Sequence, residues 1–343
     1  MNPLTPRQIV TDTLNFKNTS HRTARDLWSL PWAWDRFAPE LRGLSEEYPS
    51  DFAGVSIELK EQSPVSKGDM HEVGKYVDPW GCTFENIQRG VIGEVKTPLV
   101  QDDEWEDSYK IHIPEEQLSF SVEQVNREIA RTDKFVMLGC PRPFEQLQFI
   151  RGTENLYIDL MDPPVKMLEF MERMHDFYCR LLTKYAQTNC DALNFMDDWG
   201  SQRSLLINPE LWKKYFLPMY RDYIEIARKY GKRTFMHSDG YIMDIIPYLI
   251  DIGLDAVNSQ IFCMGINNLK QFKGKITFWG EIDRQHLLPY GTPADIDDAV
   301  RQIYDALYDN GGCIAQCEFG PGGKFENVRQ TFVSWDKLTA PLG

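Results

Sequence analysis

Short apolar runs alternate with segments of helical periodicity along most of this 343-residue chain, and this alternation restricts the possible folds more than any other feature. Seven runs rich in β-branched and apolar residues predict buried strands. They are Phe52 to Leu59, Lys134 to Gly139, Asp191 to Asp197, Arg233 to Ser238, Asp255 to Gln260, Ile276 to Glu281 and Cys313 to Glu318. Strands that alternate with helices form parallel sheets, which leaves a doubly wound sheet or a (β/α)8 barrel.

Segments with apolar residues at helical spacing lie between these runs, and several of them open on a proline that suits the first turn of a helix. They are Pro163 to Thr188, Pro209 to Tyr230, Ile242 to Ile252, Asn267 to Phe272 and Pro293 to Asp309. Gly231 and Gly253 stand where two of these helices are predicted to end. No GxGxxG motif follows the first strand, so we expect the (β/α)8 TIM barrel rather than a dinucleotide-binding sheet.

The polar, turn-rich segment from about residue 61 to residue 121 interrupts the alternation. It predicts an insertion that carries a hairpin and caps one face of the barrel. No internal repeat and no Pro/Gly/Ser-rich linker divides the sequence. Residues 1–343 are therefore predicted to form one domain with an inserted cap.

Charge and composition exclude several classes of function. The formal net charge is -14 and the pI is about 5.0, which argues against nucleic-acid and anionic-membrane partners. The seven cysteines include no CxxC pair, as is typical of reduced thiols in a cytoplasmic protein. We find no secretion signal and no apolar run long enough to span a bilayer, so a soluble protein is expected.

Side chains suited to binding or catalysis stand at the C-terminal ends of five consecutive predicted strands, where a barrel places its active site. They are Asp197, Asp198 and Trp199; His237 and Asp239; Asn258 and Gln260; Glu281 and Asp283; and Cys317 and Glu318. Any single one could instead cap the following helix, as Asp239 or Asp283 would at an N-cap. Four of these five adjacent strand ends carry acidic groups, which repel each other unless a cation or substrate relieves the charge, and this favours a shared pocket.

Zinc is a metal that imidazole, thiolate and carboxylate bind together. His237, Asp239 and Cys317 could supply such a set, although His-x-Asp spacing alone is common by chance.

The passage from "FMDDWGSQRSLLINPELW" through "RTFMHSDGYIMDIIPYLIDIGLDAVNSQ" resembles the uroporphyrinogen decarboxylase superfamily, and "WGEIDRQHLLPYGTPADIDDAV" and "ENVRQTF" continue the likeness. It covers roughly residue 156 to the C-terminus. The resemblance implies a (β/α)8 barrel of one of two branches. One branch contains metal-free porphyrinogen decarboxylases, and the other contains zinc methyltransferases that exchange methyl groups between small molecules and corrinoid proteins.

The residues favour the methyltransferase branch. The arginine-rich N-terminal motif with which decarboxylases bind a polycarboxylate is absent from "HRTARDLWSLPWAWDRF". By resemblance, His237 matches the histidine ligand of the zinc methyltransferases, Cys317 looks like their distal cysteine, and Asp239 stands where their first cysteine would be. This departure makes the zinc more Lewis-acidic, or signals that the metal is lost, or that Glu281 or Glu318 joins the coordination.

The expected reaction moves a methyl group from a small methylated compound, such as a methoxylated one, to a corrinoid carried by a partner protein. Asp197 or Asp198 would orient the substrate or donate a proton, with Glu281 as a further catalytic candidate; only one of the two aspartates should face the pocket. Trp199, Asn258, Gln260 and Trp80 are candidate substrate contacts, although Trp80 could equally pack the cap. A metal-free uroporphyrinogen decarboxylase-like lyase and a non-catalytic binding barrel remain as alternatives.

Overall fold

The computed structural model describes residues 3–340. Eight strands form a single parallel sheet. They are β1 (Ala24–Ser29), β2 (Phe52–Ala53), β6 (Phe135–Gly139), β7 (Ala192–Met196), β8 (Arg233–Ser238), β9 (Ala256–Ser259), β10 (Thr277–Trp279) and β11 (Cys313–Phe319). Their spatial order is β1-β11-β10-β9-β8-β7-β6-β2. The N–H of Asp51, just before β2, donates to the carbonyl of Arg25 in β1 at 3.0 Å, so the two ends of the order meet and the sheet forms the predicted (β/α)8 barrel.

Helices surround this sheet. They are α1 (Pro6–Leu14), α2 (Pro31–Glu47), α3 (Val122–Ile129), α4 (Pro143–Arg151), α5 (Thr153–Met161), α6 (Val165–Ala186), α7 (Pro209–Tyr215), α8 (Leu217–Lys229), α9 (Ile246–Ile252), α10 (Ile261–Met264), α11 (Ile266–Leu269), α12 (Leu287–Tyr290), α13 (Pro293–Leu307) and α14 (Phe325–Thr339). Gly253 ends α9 with a φ of 90°, and Gly231 follows α8 with a φ of 68°, as the sequence predicts. Within residues 3–340, no helix has the length and apolarity needed to cross a membrane.

Two strands differ from the prediction. Strand β1 was not predicted, because charged residues interrupt its apolar pattern. One of them, Arg25, points outward to an ion pair with Asp336 of α14 at 3.0 Å. Strand β2 is much shorter than predicted, since its pairing with β6 ends at Ala53 and the chain then leaves the sheet.

The predicted insertion contains a small antiparallel sheet of three strands, β3 (Gly74–Val77), β4 (Thr83–Asn86) and β5 (Glu94–Val95), in the order β3-β4-β5. Short 3₁₀ turns at Ser108–Lys110 and Glu115–Ser119 follow it. Asp78 holds the turn between β3 and β4, because its carboxylate accepts the N–H groups of Trp80 and Cys82 and an amide N–H of Gln146 in α4. The small sheet is thereby tied to the barrel.

Two apolar clusters show which way each strand side chain points. One fills the barrel interior with one residue from nearly every strand, and Ile9, Val10 and Leu14 of α1 join it. The strand residues are Ala24, Phe135, Ala192, Phe235, Ala256, Trp279 and Ile314. The other cluster lies between the sheet and the helices. Because side chains alternate along a strand, these inward residues fix which later residues face the barrel mouth.

Candidate active site

His237 is the central side chain of the barrel mouth, the opening at the C-terminal ends of the parallel strands. It lies two residues after the inward Phe235 on β8 and is therefore inward itself, and only 8% of it is exposed. Its Nδ1 lies 2.6 Å from Oδ1 of Asn258 on β9, and the Asn258 amide nitrogen donates to the Trp279 carbonyl. That second bond fixes the amide, so its oxygen accepts from His237 and Nδ1 must carry a proton. In the neutral ring the free electron pair is then on Nε2.

Nε2 of His237 faces two carboxylates. It lies 3.5 Å from Oδ1 of Asp198 and 3.7 Å from Oδ1 of Asp239. Zinc bonds of about 2.0–2.2 Å at tetrahedral angles separate their ligand atoms by about 3.3–3.6 Å, close to these distances. Oδ1 of Asp239 is buried and has no hydrogen-bond donor among the described residues. The three side chains therefore fit a divalent cation.

Charge around His237 supports the same interpretation. Burial by itself lowers the pKa of the imidazole, but the hydrogen bond to Asp198 and the charges of Asp239 and Asp198 outweigh it and raise the pKa to about 9. Without a metal, a proton on Nε2 balances the two carboxylates. A divalent cation would take the place of that proton.

The loops after β7 and β8 are joined by one bond from a backbone N–H to a carboxylate and one bond between backbone groups. The Asp239 N–H donates to Asp198 at 2.9 Å, and the Gly200 N–H donates to the Asp239 carbonyl at 3.1 Å. A Cβ on Gly240, whose φ is 77°, would lie 2.0 Å from the carbonyl oxygen of Gly200. This close approach of two backbones therefore requires glycine at position 240, and the contact between the two loops holds the carboxylates of Asp198 and Asp239 beside each other.

Arg284, just after β10, was not identified from the sequence. Its guanidinium bonds Asp239 and lies 2.9 Å from Glu318 and 3.4 Å from Glu281. Burial and the charges of Asp239 and Glu318 raise the pKa of Glu281 to about 8 although Arg284 opposes this shift. Oε2 of Glu281 is buried without a partner among the described residues. A protonated carboxyl thus stands beside the possible cation site.

Two predicted site residues, Asp197 and Trp199, are buried in the core and do not face the mouth. Asp197 is fully buried and faces away from the mouth, where it accepts the Glu145 N–H at 2.8 Å and the Tyr220 hydroxyl at 2.6 Å. Trp199 is also fully buried, stacks on Phe144 with ring centroids 4.1 Å apart and donates to the Tyr220 hydroxyl. Of the two adjacent aspartates, Asp198 is the one that faces the mouth.

Cys317 is not brought to the cluster. Gln316 and Glu318 share the inward face of β11 with Ile314, so Cys317 points outward, where it packs in the outer core near Thr331 of α14. Burial raises the pKa of the Cys317 thiol. The structure therefore assembles two of the three expected ligands, His237 and Asp239, and adds Asp198 where Cys317 was expected.

Replacing Cys317 with serine should leave the metal content of the protein unchanged and lower the free energy of unfolding by about 1 kcal/mol, because a hydroxyl replaces a thiol in an apolar site. Metal analysis and urea denaturation measure the two effects. Cys313→Ser, on the same strand and the same outer face, is the matched control and should behave alike. Loss of zinc in the Cys317 variant alone would place its sulfur in the mouth.

A cavity of about 510 Å³ lies between the inserted sheet and the loop after β6. Aromatic rings supply much of its wall, from Tyr76, Trp80, Phe84, Phe149, Tyr178 and Tyr185. Glu145 of α4 forms part of the wall, and burial and the charge of Asp198 raise its pKa to about 7. Glu145 and Arg142 were not predicted as site residues, whereas Trp80, a predicted candidate for substrate contact, lies in the wall of this cavity. Gln260 lies elsewhere at the mouth, in a smaller cleft of about 200 Å³, where it accepts from Gln202.

Comparison with known proteins identifies the family. The uroporphyrinogen decarboxylase (URO-D) family model matches residues 78–337, a longer span than the sequence resemblance suggested. A methyltransferase from Methanosarcina mazei shares the fold with a TM-score of 0.66 and 13% identity, covering 98% of this chain and 100% of its own. A D-psicose 3-epimerase matches with a TM-score of 0.39 and 10% identity, over 64% of this chain and 81% of its own. No curated protein matches the sequence significantly.

Proposed function

The chain belongs to the uroporphyrinogen decarboxylase family, and we propose that within it the protein is a zinc-dependent methyltransferase. The substrate is a small methylated compound such as a methyl ether, and the acceptor is a corrinoid carried by a partner protein. The single observation that supports this proposal best is the fixed orientation of His237. Asn258 holds its Nδ1–H, so Nε2 is directed at Asp198 and Asp239.

Asp198, His237 and Asp239 would hold the zinc. When bound, zinc supplies a Lewis acid that draws charge from the substrate heteroatom, and the corrinoid supplies the nucleophile for the methyl group. Arg284 neutralises part of the acidic mouth and keeps Asp239 in place. Glu281 remains protonated at neutral pH and is the group that we assign to proton delivery to the departing oxygen.

The aromatic cavity supports an apolar substrate. Its wall of aromatic side chains includes Trp80, and it adjoins the cluster through Glu145, whose pKa responds to Asp198 and His237. In this proposal the segment from about residue 61 to 121 is a cap on a single domain, and it shields the substrate from water. The apolar wall gives binding energy to a small ring or alkyl group and little to a polycarboxylate.

Decarboxylation of uroporphyrinogen is disfavoured by the charge of the mouth. The carboxylates of Asp198, Asp239 and Glu318 face Arg284, whose charge they already share. Additional substrate carboxylates would therefore be repelled. The metal-free lyase fits this arrangement less well than the methyltransferase.

The proposal is tested with purified protein, a panel of methyl ethers, methylamines and methyl thioethers, and cob(I)alamin as the acceptor. We expect zinc in the protein and methylcobalamin formation that chelation abolishes and zinc, but not magnesium, restores. Absorbance spectroscopy follows the corrinoid. Turnover of uroporphyrinogen that is indifferent to chelators, with no methyl transfer, would refute the proposal.

A further inference from the structure

A second group of metal-ligating side chains lies on the helical layer outside the barrel. His175 and Cys179 are four residues apart on α6 and therefore share one face, and Asp222 reaches them from α8. Within residues 3–340, only this group and the cluster at the mouth bring three such ligand atoms within 4.8 Å of one another. Nothing in the proposed reaction uses the outer group.

The three ligand atoms lie close enough to share one ion after a rotation of the Cys179 side chain. Sγ of Cys179 lies 3.6 Å from Nε2 and 3.8 Å from Nδ1 of His175, so the sulfur lies over the imidazole ring. Tetrahedral zinc with a Zn–S bond of about 2.3 Å keeps its sulfur and nitrogen ligands about 3.6 Å apart, but it requires the sulfur to move toward the free electron pair of Nε2. Nε2 of His175 lies 2.8 Å from Oδ2 of Asp222, a hydrogen bond that a cation would widen by about 0.5 Å. In the described part of the chain, Asp222 has no lysine or arginine partner, so its charge is open to a cation.

Tyr223 provides an independent indication. Its side chain is fully buried, and its hydroxyl has no hydrogen-bond partner among the described residues. The ring lies 5.5 Å from the His175 ring. A water on a bound metal would give this hydroxyl its missing partner.

A cysteine nucleophile activated by His175 and Asp222 is the rival interpretation. Sγ of Cys179 lies nearly equidistant from the two ring nitrogens of His175 and is therefore not in line for a hydrogen bond to either. The imidazole is thus poorly placed to take the thiol proton, which a nucleophilic cysteine requires. A metal ion changes this, since coordination removes the proton from a thiol.

We propose that His175, Cys179 and Asp222 form a second zinc site that joins α6 to α8 and leaves one position for water beside Tyr223. The ion would be structural. Both helices pack on β7 and its neighbours, so the site would stabilise the part of the barrel that carries Asp198.

Cobalt(II) distinguishes this site from the mouth. The cluster of Asp198, His237 and Asp239 contains no sulfur, whereas the outer group contains one, and only thiolate ligation gives cobalt a sulfur-to-metal charge-transfer band in the near ultraviolet. The experiment titrates metal-free protein with Co²⁺ alone and records the spectrum. We expect one such band in the native protein and in His237→Ala, with two Co²⁺ bound per chain in the former and one in the latter.

Cys179→Ser should abolish the band and one equivalent of metal, and His175→Gln should weaken Co²⁺ binding at this site at least tenfold. Cys140→Ser, which removes an exposed cysteine outside the group, is the matched control and should keep the band. A native protein without the band, or a band that survives Cys179→Ser, would overturn the proposal. A band lost in Cys317→Ser instead would assign the thiolate to the mouth. Neither result depends on whether the protein transfers methyl groups.

Discussion

Replacing His237 with alanine should remove the zinc of the mouth and reduce methyl transfer on the order of 10³-fold, because the imidazole is the only nitrogen ligand of the cluster. Metal analysis should show a loss of one equivalent per chain. The rate with cob(I)alamin should fall to the level of the chelated native enzyme, and added zinc should not restore it.

His237→Gln and His286→Ala are the controls for this experiment. Glutamine can still donate to Asn258 and so separates loss of the ligand from loss of packing; it should retain the native melting temperature more closely than alanine and still bind little zinc. His286 is an exposed histidine, 3.1 Å from Asp283, and its replacement should leave zinc and turnover unchanged. If His237→Ala kept its zinc and its rate, the mouth would not be the metal site.

The barrel could be predicted because its signal is repeated. Each buried parallel strand is a short apolar run, and the glycines after α8 and α9 end their helices in the left-handed region, so several independent local patterns lead to one architecture. Strand β1 was not predicted because its charged residues, Arg25 and Asp26, interrupt the apolar pattern of a buried strand. Arg25 finds its partner Asp336 more than 300 residues later, which no local window can reveal.

The position of the site could also be predicted, but the direction of each side chain only in part. His237 and Asp198 follow from the rule that active-site residues lie at the carboxyl ends of strands. The rule does not show which residues of β11 point into the barrel, since nearly every residue of "CIAQCEF" is buried on one face or the other. Without alternating polarity, Cys317 and Glu318 are equally plausible inward residues from the sequence.

Arg284, Glu145 and the role of Asn258 depend on distances between loops. Arg284 contacts carboxylates at the C-terminal ends of three different strands, Asp239, Glu281 and Glu318, and only the closed barrel brings these together. One sequence signal was available: Arg284 is a lone basic residue among acidic strand ends, and such a residue is expected to neutralise them. Asn258 was predicted as a substrate contact, whereas its hydrogen bonds make it a support for His237.

The Glu281→Gln variant should become increasingly more stable than the native protein as the pH rises. The folded pKa of about 8 exceeds the ordinary value of 4.5, so between these pH values the folded chain holds a proton that the unfolded chain has released. Native stability then falls with rising pH by at most about 1.4 kcal/mol per unit, and glutamine removes this dependence. Urea denaturation of EDTA-treated protein between pH 5 and pH 9 measures the difference.

The same substitution should slow methyl transfer about 10²- to 10⁴-fold at neutral pH, because glutamine keeps the shape of the acid but delivers no proton. Glu318→Gln is the matched control, because it removes another carboxylate beside Arg284. This variant should keep most of the native rate, and its stability should still fall with rising pH much as in the native protein. A zinc ion held beside Glu281 would favour its ionised form, so the decline in rate at alkaline pH should begin below pH 8 in the zinc-loaded enzyme. A Glu281 variant with native rate and native pH dependence would show that the proton comes from another group, and Glu145, with a pKa of about 7 at the cavity wall, would be the next to replace.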